Sequence, residues 1–460
     1  MIKYHKIGKR RRDKLMNVGF VSLGCSKNLV DTEMMIGSFK EHKFNIVNNP
    51  EQADIILINT CGFIESAKEE AINTILEMAE YKKKRCKILI ATGCLVQRYE
   101  KELEKALPEV DLFISCNNYE EFWKKVEKVI NEENNTSEYK KYNLDYNNRI
   151  ITTGDKMAYL KIAEGCSNRC TYCAIPYIRG PFVSRKMEDI LKEANELAKK
   201  GIQELIVIAQ DTTKYGIDLY GEPKLSELLE NLCKIEGIKW IRFLYSYPET
   251  ITDELIQTVK NNEKICKYFD IPIQHISNNV LKRMNRKSNG ESIKKLMNKI
   301  RQEIPDVILR TTVMVGFPGE TKDDFDELYN FIKETKFDKL GAFMYSKEDG
   351  TPAAKLKNQI HPMTKKSRYN KIMELQKEIS KQNLENKINK EYTALIEDVS
   401  FDNKYYIGRT YMDVPDMDGV IFIKNDTKGK DEIGKFVKCR IIDVKDYDLI
   451  AEHVNEYALS

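Results

Sequence analysis

No apolar run in this 460-residue chain approaches the roughly 18 residues that a membrane-spanning helix needs. The opening MIKYHKIGKRRRDK is basic but lacks the apolar stretch of a secretory signal. These absences lead to the expectation of a cytoplasmic protein with no membrane contact. No long internal repeat is visible, which excludes solenoids and propellers. Eleven cysteines is an odd number in a chain that is not small. In a reducing compartment, cysteines at close spacing are read as metal ligands before they are read as disulfides. With 42% hydrophobic and 32% charged residues the chain can bury a core and stay soluble. Its length suits about three domains.

Six of the cysteines form two triplets. Cys166, Cys170 and Cys173 make a compact C-x3-C-x2-C run in AEGCSNRCTYCAIPY, directly after a predicted strand. No second cysteine pair lies close by to complete a four-ligand zinc site, which leaves zinc as the weaker alternative. Cys25, Cys61 and Cys94 are dispersed, and each adjoins a glycine in LGCSKN, NTCGF and TGCLV. A [4Fe–4S] cluster normally takes four thiolates, so three leave one iron open to a substrate. Two such triplets point to chemistry at iron rather than to electron storage. The plainer alternative for the dispersed set is three buried structural cysteines. Cys86, Cys233, Cys266 and Cys439 have no partner pattern and read as packing residues. Cys116, after FIS, is a possible alternate ligand of the dispersed site.

The organisation along the chain fits this. Residues 1–15 read as a basic tail without regular structure, which leaves Met1 and Met16 both open as the true start. Residues 16–130 alternate strands (17–23, 54–59, 87–92 and 111–115) with helices such as 64–80, as in a parallel α/β sheet. Each dispersed cysteine then falls just beyond the carboxyl end of a strand, where open α/β sheets bind ligands. Gly24, Gly62 and Gly93 would permit the tight turns that bring the sulfurs together. Residues 131–154 read as a linker. Residues 155–386 give strands near 158–163, 204–209, 240–245, 268–273, 307–315 and 340–345, a partial (β/α)6 barrel. A long helix at 364–386 presents Ile372, Leu375 and Ile379 on one face. Residues 387–456 change to short β runs, as in a small antiparallel barrel.

The compact triplet, with Tyr172 before its last cysteine, resembles the signature of the radical S-adenosylmethionine (SAM) superfamily. The three-part order is similar to that of the methylthiotransferases, which join a cluster domain, a radical SAM barrel and a TRAM-type β-barrel. LIVIAQDTTKYG (205–216), DIPIQHIS (270–277), VLKRMNR (280–286), LRTTVMVGFPGET (309–321) and FMYSKEDGTPA (343–353) resemble motifs of that family. The resemblance implies two [4Fe–4S] clusters and SAM as cofactors, with a sulfur-delivering auxiliary cluster on Cys25, Cys61 and Cys94. It implies that one SAM gives its methyl group and a second gives the radical. It also implies an external electron donor and a sulfur source. At the strand ends of the barrel, Gln210, Asp211, Gln274, His275 and Gly316 become candidates for holding SAM, with Arg286 and Arg310 for its carboxylate.

Family members act either on an adenosine of tRNA or on an aspartate of small ribosomal subunit protein twelve. Residues 391–460 hold 9 Lys and Arg against 15 Asp and Glu, a balance of −6 in a chain of net charge +4. An acidic terminal barrel should repel RNA and attract a basic protein. Asp413, Asp416 and Asp418 in TYMDVPDMDGV are the expected contacts to that protein. VGFVSLGCSKNLVDTE and GRTYMDVPDMDGVIFI resemble the ribosomal-protein subgroup, although Ser26 stands where that subgroup usually has proline. A tRNA substrate is the alternative within the family, and a non-catalytic iron–sulfur scaffold or redox relay is the alternative outside it.

Overall fold

The computed structural model describes residues 15–131, 144–425 and 432–454, and divides into a unit ending at Ile150 and a unit beginning at Ile151. Most of the expected basic tail and the middle of the expected linker lie outside the described residues. The end of that linker is anchored: Arg149 is buried with its guanidinium 3.0 Å from Glu33, and the Ile150 amide donates to the Glu33 carbonyl. Among the described residues no helix is long and apolar enough to cross a membrane.

The first unit is a five-stranded parallel sheet of β1 (Asn17–Ser22), β2 (Asn45–Val47), β3 (Ile55–Thr60), β4 (Ile88–Gly93) and β5 (Leu112–Ser115), in the order β2-β1-β3-β4-β5. β3 and β4 are buried along their whole length, which explains the unbroken apolar runs IILIN and ILIAT. β2 is a three-residue edge strand, too short to announce itself in the sequence. Helices cover both faces. Their packing makes two cores, one around Ile58, Ile75 and Leu89 and one around Phe39, Ile90 and Trp123.

In the second unit, β6 (Met157–Lys161) is followed by a short hairpin of β7 (Ala163–Glu164) and β8 (Val183–Ser184). The strands β9 (Glu204–Ile208), β10 (Trp240–Phe243), β11 (Tyr268–Asp270), β12 (Ile308–Val315) and β13 (Lys339–Met344) then alternate with helices. β6, β9 and β10 pair in parallel, as do β11, β12 and β13, and an Ile241–Ile265 bridge leads from one set to the other. This is the partial six-stranded barrel expected from the sequence. A helix at Pro362–Glu385 leads to a closed barrel of β14 (Glu391–Val399), β15 (Tyr405–Thr410), β16 (Ile421–Lys424), β17 (Phe436–Lys445) and β18 (Asp448–His453). Closure leaves no strand edge free to pair elsewhere.

The small barrel docks on the amino ends of the large barrel's strands. Arg409 Nη2 lies 2.8 Å from Glu204 Oε2 and 2.6 Å from Glu397 Oε1, and its Nη1 donates to the Asp413 carbonyl. Arg242 donates to Glu204 Oε1 at 3.2 Å and to the Tyr411 carbonyl at 2.6 Å. Burial alone would raise the Glu204 carboxyl, but Arg409 and Arg242 outweigh it and hold the group below its ordinary range. Trp240 meets Phe436 edge-on at 4.7 Å.

This seam corrects two expectations. Asp413 is buried against Lys339 (2.8 Å) and accepts from Thr410. Asp418 accepts from the Tyr268 hydroxyl (2.7 Å) and the Val414 amide, with Arg310 Nε at 3.9 Å. Both side chains are spent inside the second unit and are not a surface for a substrate protein; of the three, only Asp416 is exposed. Arg310 is the third residue of β12 and pairs with Asp270 at 2.7 Å, so it sits toward the strand start, away from the end that carries the cysteine loop. It is not placed to bind SAM there.

Candidate functional site

The dispersed cysteines follow β1, β3 and β4, three adjacent strands whose pairings Ser22–Asn59 and Thr60–Gly93 bring their carboxyl ends level. Cys25 is the N-cap of the helix Ser26–Glu41, and Cys94 is the first residue of the helix Cys94–Ala106. Helix N-termini favour thiolates and an anionic group held between them. Ser26 is the first residue of its helix, a position where proline would be well tolerated.

The three loops are pressed together. A Cβ built on Gly24 (φ +89°) would lie 2.8 Å from Cys61 Cβ and 3.0 Å from its Sγ. One built on Gly62 would meet the Leu95 and Cys94 backbone at 2.6–3.1 Å. Glycine is therefore required at Gly24 by backbone angle and contact, and at Gly62 by contact. Burial pushes the Cys61 thiol up to about 11, with Cys94 and Cys25 adding to the rise. Cys25 is exposed, Cys61 half-buried and Cys94 buried, which leaves one side of the site open. Cys116 follows β5, one strand further out, and accepts from the Tyr119 hydroxyl at 3.8 Å.

The compact triplet lies on the loop after the β7 strand, at the carboxyl end of the large barrel. The Cys166 amide donates to the Gly180 carbonyl, Thr171 is held at both its amide and its hydroxyl by the carbonyls of Met284 and Arg283, and the Ala353 amide donates to the Thr171 carbonyl. Asn285 Nδ2 closes on the Arg169 carbonyl, and Arg169 adopts a left-handed φ of 52°. Burial raises the Cys166 thiol and takes Cys173 up to about 12; both respond to Cys170. Among the described residues no three Cys, His, Asp or Glu side chains are arranged to chelate a single metal ion. The donor sets, three soft thiols each, fit iron–sulfur clusters.

Several residues surround the compact loop. Asp211 accepts from Asn168 (2.8 Å) and Thr213 (2.7 Å), and Lys214 donates to the Asn168 side-chain oxygen. Gln210 donates to Glu164 at 3.1 Å; against the effect of burial, Lys161 and Arg179 hold that carboxylate at about 2. Arg286 stacks over the Tyr247 ring at 4.1 Å, with Glu249 at 4.0 Å, and its Nε and Glu249 Oε2 are buried without hydrogen-bond partners. Tyr247 places its hydroxyl 3.4 Å from Cys170 Sγ.

The structure thus brings Gln210, Asp211 and Arg286 to the compact triplet. Gln274 holds a left-handed φ of 68° and exchanges backbone hydrogen bonds with Thr312 and Met314 at the same carboxyl edge, without a described contact to the cysteine loop. His275 is buried: its Nδ1 accepts from the Ser277 amide, and burial lowers it to about 3, so it is a neutral structural residue. The Gly316 amide is taken by Glu320, and Lys365 packs against its α-carbon. Sequence reasoning missed Tyr247 and Glu249, although SYPET follows β10 as QDTT follows β9.

Three family models match: an uncharacterized protein family, UPF0004, over residues 17–115, the radical SAM superfamily over 160–332, and a TRAM domain over 388–454. The chain is 66% identical over 441 residues to the ribosomal protein uS12 methylthiotransferase RimO of Alkaliphilus oremlandii, covering 96% of this chain and all of that one. It is 51% identical to the protein of the same name from Acetivibrio thermocellus, covering 95% of this chain and 98% of that one. Its fold is similar to that of the radical SAM methyltransferase TsrM from Kitasatospora setae, with a TM-score of 0.56 at 11% identity over 74% of this chain and 77% of that one.

Proposed function

We propose, for a chain that belongs to the RimO family of radical SAM methylthiotransferases, that it replaces a C–H bond by C–S–CH3 at the β-carbon of an aspartate in ribosomal protein uS12. One observation carries this reading: a single chain holds two separate three-cysteine sites, each at the carboxyl edge of a parallel sheet. When bound, an iron–sulfur cluster with SAM at the compact site and a second cluster at the dispersed site would supply hydrogen removal from an unactivated carbon and a methylthio group.

The residues of the chain have their own tasks. Cys166, Cys170 and Cys173 hold one cluster as thiolates, and Cys25, Cys61 and Cys94 hold the other. The buried guanidinium of Arg286 faces the carboxylate of SAM and the carboxyl of Asp211, steadied by Asn168, faces its amino group. Tyr172 and Tyr247 stand half-buried beside the compact loop, with the Tyr247 hydroxyl 3.4 Å from Cys170 Sγ. The reaction consumes electrons and sulfur that an external reductant and a sulfur donor must deliver. A reducing cytoplasm suits the free thiols.

The test is mass spectrometry of purified uS12 and of tRNA, each incubated anaerobically with the reconstituted full chain, SAM and reductant. The expected product is uS12 carrying the mass of one methylthio group on an aspartate. Methylthiolation of tRNA alone would overturn the assignment, and absence of deoxyadenosine would overturn the radical chemistry.

A further inference from the structure

Asn28 lies in the GCSKN stretch, and nothing in the reaction outlined above uses it. Its side chain is completely buried. Nδ2 donates to the Leu23 carbonyl at 3.1 Å and to the Thr60 carbonyl at 3.0 Å. Oδ1 lies 3.4 Å from Cys94 Sγ and accepts from that thiol. One amide therefore touches the chain two residues before Cys25, one residue before Cys61, and Cys94 itself. The orientation of the amide is not free. Turning it over would set Oδ1 against two carbonyl oxygens, whereas the observed one pairs every donor with an acceptor.

The backbone around Asn28 is fixed in turn. Its carbonyl accepts from Asn59 Nδ2 at 2.8 Å and from Thr32 Oγ1 at 3.1 Å. The Asn28 side chain is thus a short rigid strut seated on a helix and not a surface group that has settled against a loop. Three ligands that are 36 and 33 residues apart must be held near their final positions before metal arrives, or ordering them is charged against metal binding.

We propose that Asn28 is the positioning residue of the dispersed site: it ties the three cysteine loops into one cradle, and it governs iron binding there without affecting the compact site. This rests on the reading that the dispersed cysteines hold a cluster, and the experiment separates the two. Full-length wild type and the variants Asn28→Ala, Asn28→Asp and Thr32→Val are reconstituted anaerobically. Iron per chain, the electron paramagnetic resonance of the reduced protein and deoxyadenosine formation are measured, with Trp123 fluorescence in a Trp240→Phe background as the check that the first unit is folded. Asn28→Asp keeps the volume but aims an acceptor at the two carbonyls. Thr32→Val alters the same buried network without touching a loop.

Wild type should bind about eight irons, and both Asn28 variants about four, at four per cluster. The variants should keep the compact cluster's signal and deoxyadenosine formation but lose methylthiolation. Thr32→Val should keep the iron of wild type. Wild type with about four irons would refute the two-cluster reading itself. Full iron in either Asn28 variant, equal loss from both sites, equal loss in Thr32→Val, or loss of the folded Trp123 signal in both Asn28 variants would each overturn the positioning role.

Discussion

Replacing Arg409 with methionine tests whether the seam between the two barrels of the second unit is a desolvated charge network. Arg409 and Glu204 are almost fully buried, while Glu397 is about a third exposed. Removing the guanidinium takes away the 2.8 Å contact to Glu204 Oε2, both bonds to Glu397 and the bond to the Asp413 carbonyl. Stripping one partner from a buried pair costs about 3–5 kcal/mol, because the other charge is left behind. Glu204 keeps Arg242 at 3.2 Å, and the Glu397 side contributes only about 0–1 kcal/mol once water reaches it. The expected loss is therefore near the lower end, about 3 kcal/mol. The chain has two tryptophans. Trp240 sits in the seam against Phe436, so in a Trp123→Phe background urea unfolding followed by fluorescence reads the seam alone. Glu204→Gln should be coupled to Arg409→Met, with the double variant falling short of the sum by at least about 1 kcal/mol. A loss below about 1 kcal/mol, or strict additivity, would refute the network as the element that fastens the small barrel.

Other outcomes follow from single residues. His275 is neutral when folded, with a folded value of about 3 against an ordinary 6.5, so the unfolded chain takes up the proton first. Stability then falls as pH drops below 6.5, by about 1.4 kcal/mol per unit and about 2 kcal/mol by pH 5. His275→Asn, which can still accept from the Ser277 amide, should flatten that slope in denaturant titrations; an unchanged slope would count against the buried neutral ring. Tyr247→Phe removes the hydroxyl 3.4 Å from Cys170 Sγ, and the reduction potential of the compact cluster should fall, with the KM for SAM unchanged. A potential that did not move would show that the hydroxyl does not donate to sulfur. Gly24→Ala, at φ +89° and 2.8 Å from Cys61 Cβ, should strain the turn by about 1–2 kcal/mol and lower iron at the dispersed site, read as iron per chain.

Much of this molecule was legible because parallel sheets write themselves plainly. IILIN and ILIAT are apolar throughout, and the cysteines that follow them fall on one edge by the rule that governs all such sheets. What failed was the fate of charge. Arg310 reads as a candidate anion binder, but a residue's height along a strand decides which end of the barrel it serves, and the third position of β12 serves the start. Asp413 reads as solvated, but its partner Lys339 is 74 residues away and in another barrel. Local sequence carries no signal for a pair of that kind. Tyr247 was readable in principle: a tyrosine soon after the third strand occupies the same register as Asp211 after the second.

The loss of Asp413 and Asp418 from the surface reshapes the argument about substrate charge without removing it. A tally over residues 391–460 counts every acid equally, yet a partner meets only those that face water. Asp413 is neutralised by Lys339 of the large barrel, and Asp418 is flanked by Arg310, so each subtracts one charge of either sign from what a partner senses. Asp398, Asp402, Asp416, Asp443 and Asp446 stay exposed. These lie on the strands, turns and loop of the small barrel. Docking at the strand starts therefore separates two roles that the sequence ran together. Buried acids fasten the small barrel to the large one, and exposed acids are what a basic protein would meet. Neutralising exposed acids should change association and its salt dependence while leaving the seam stable, and neutralising Asp413 should do the reverse.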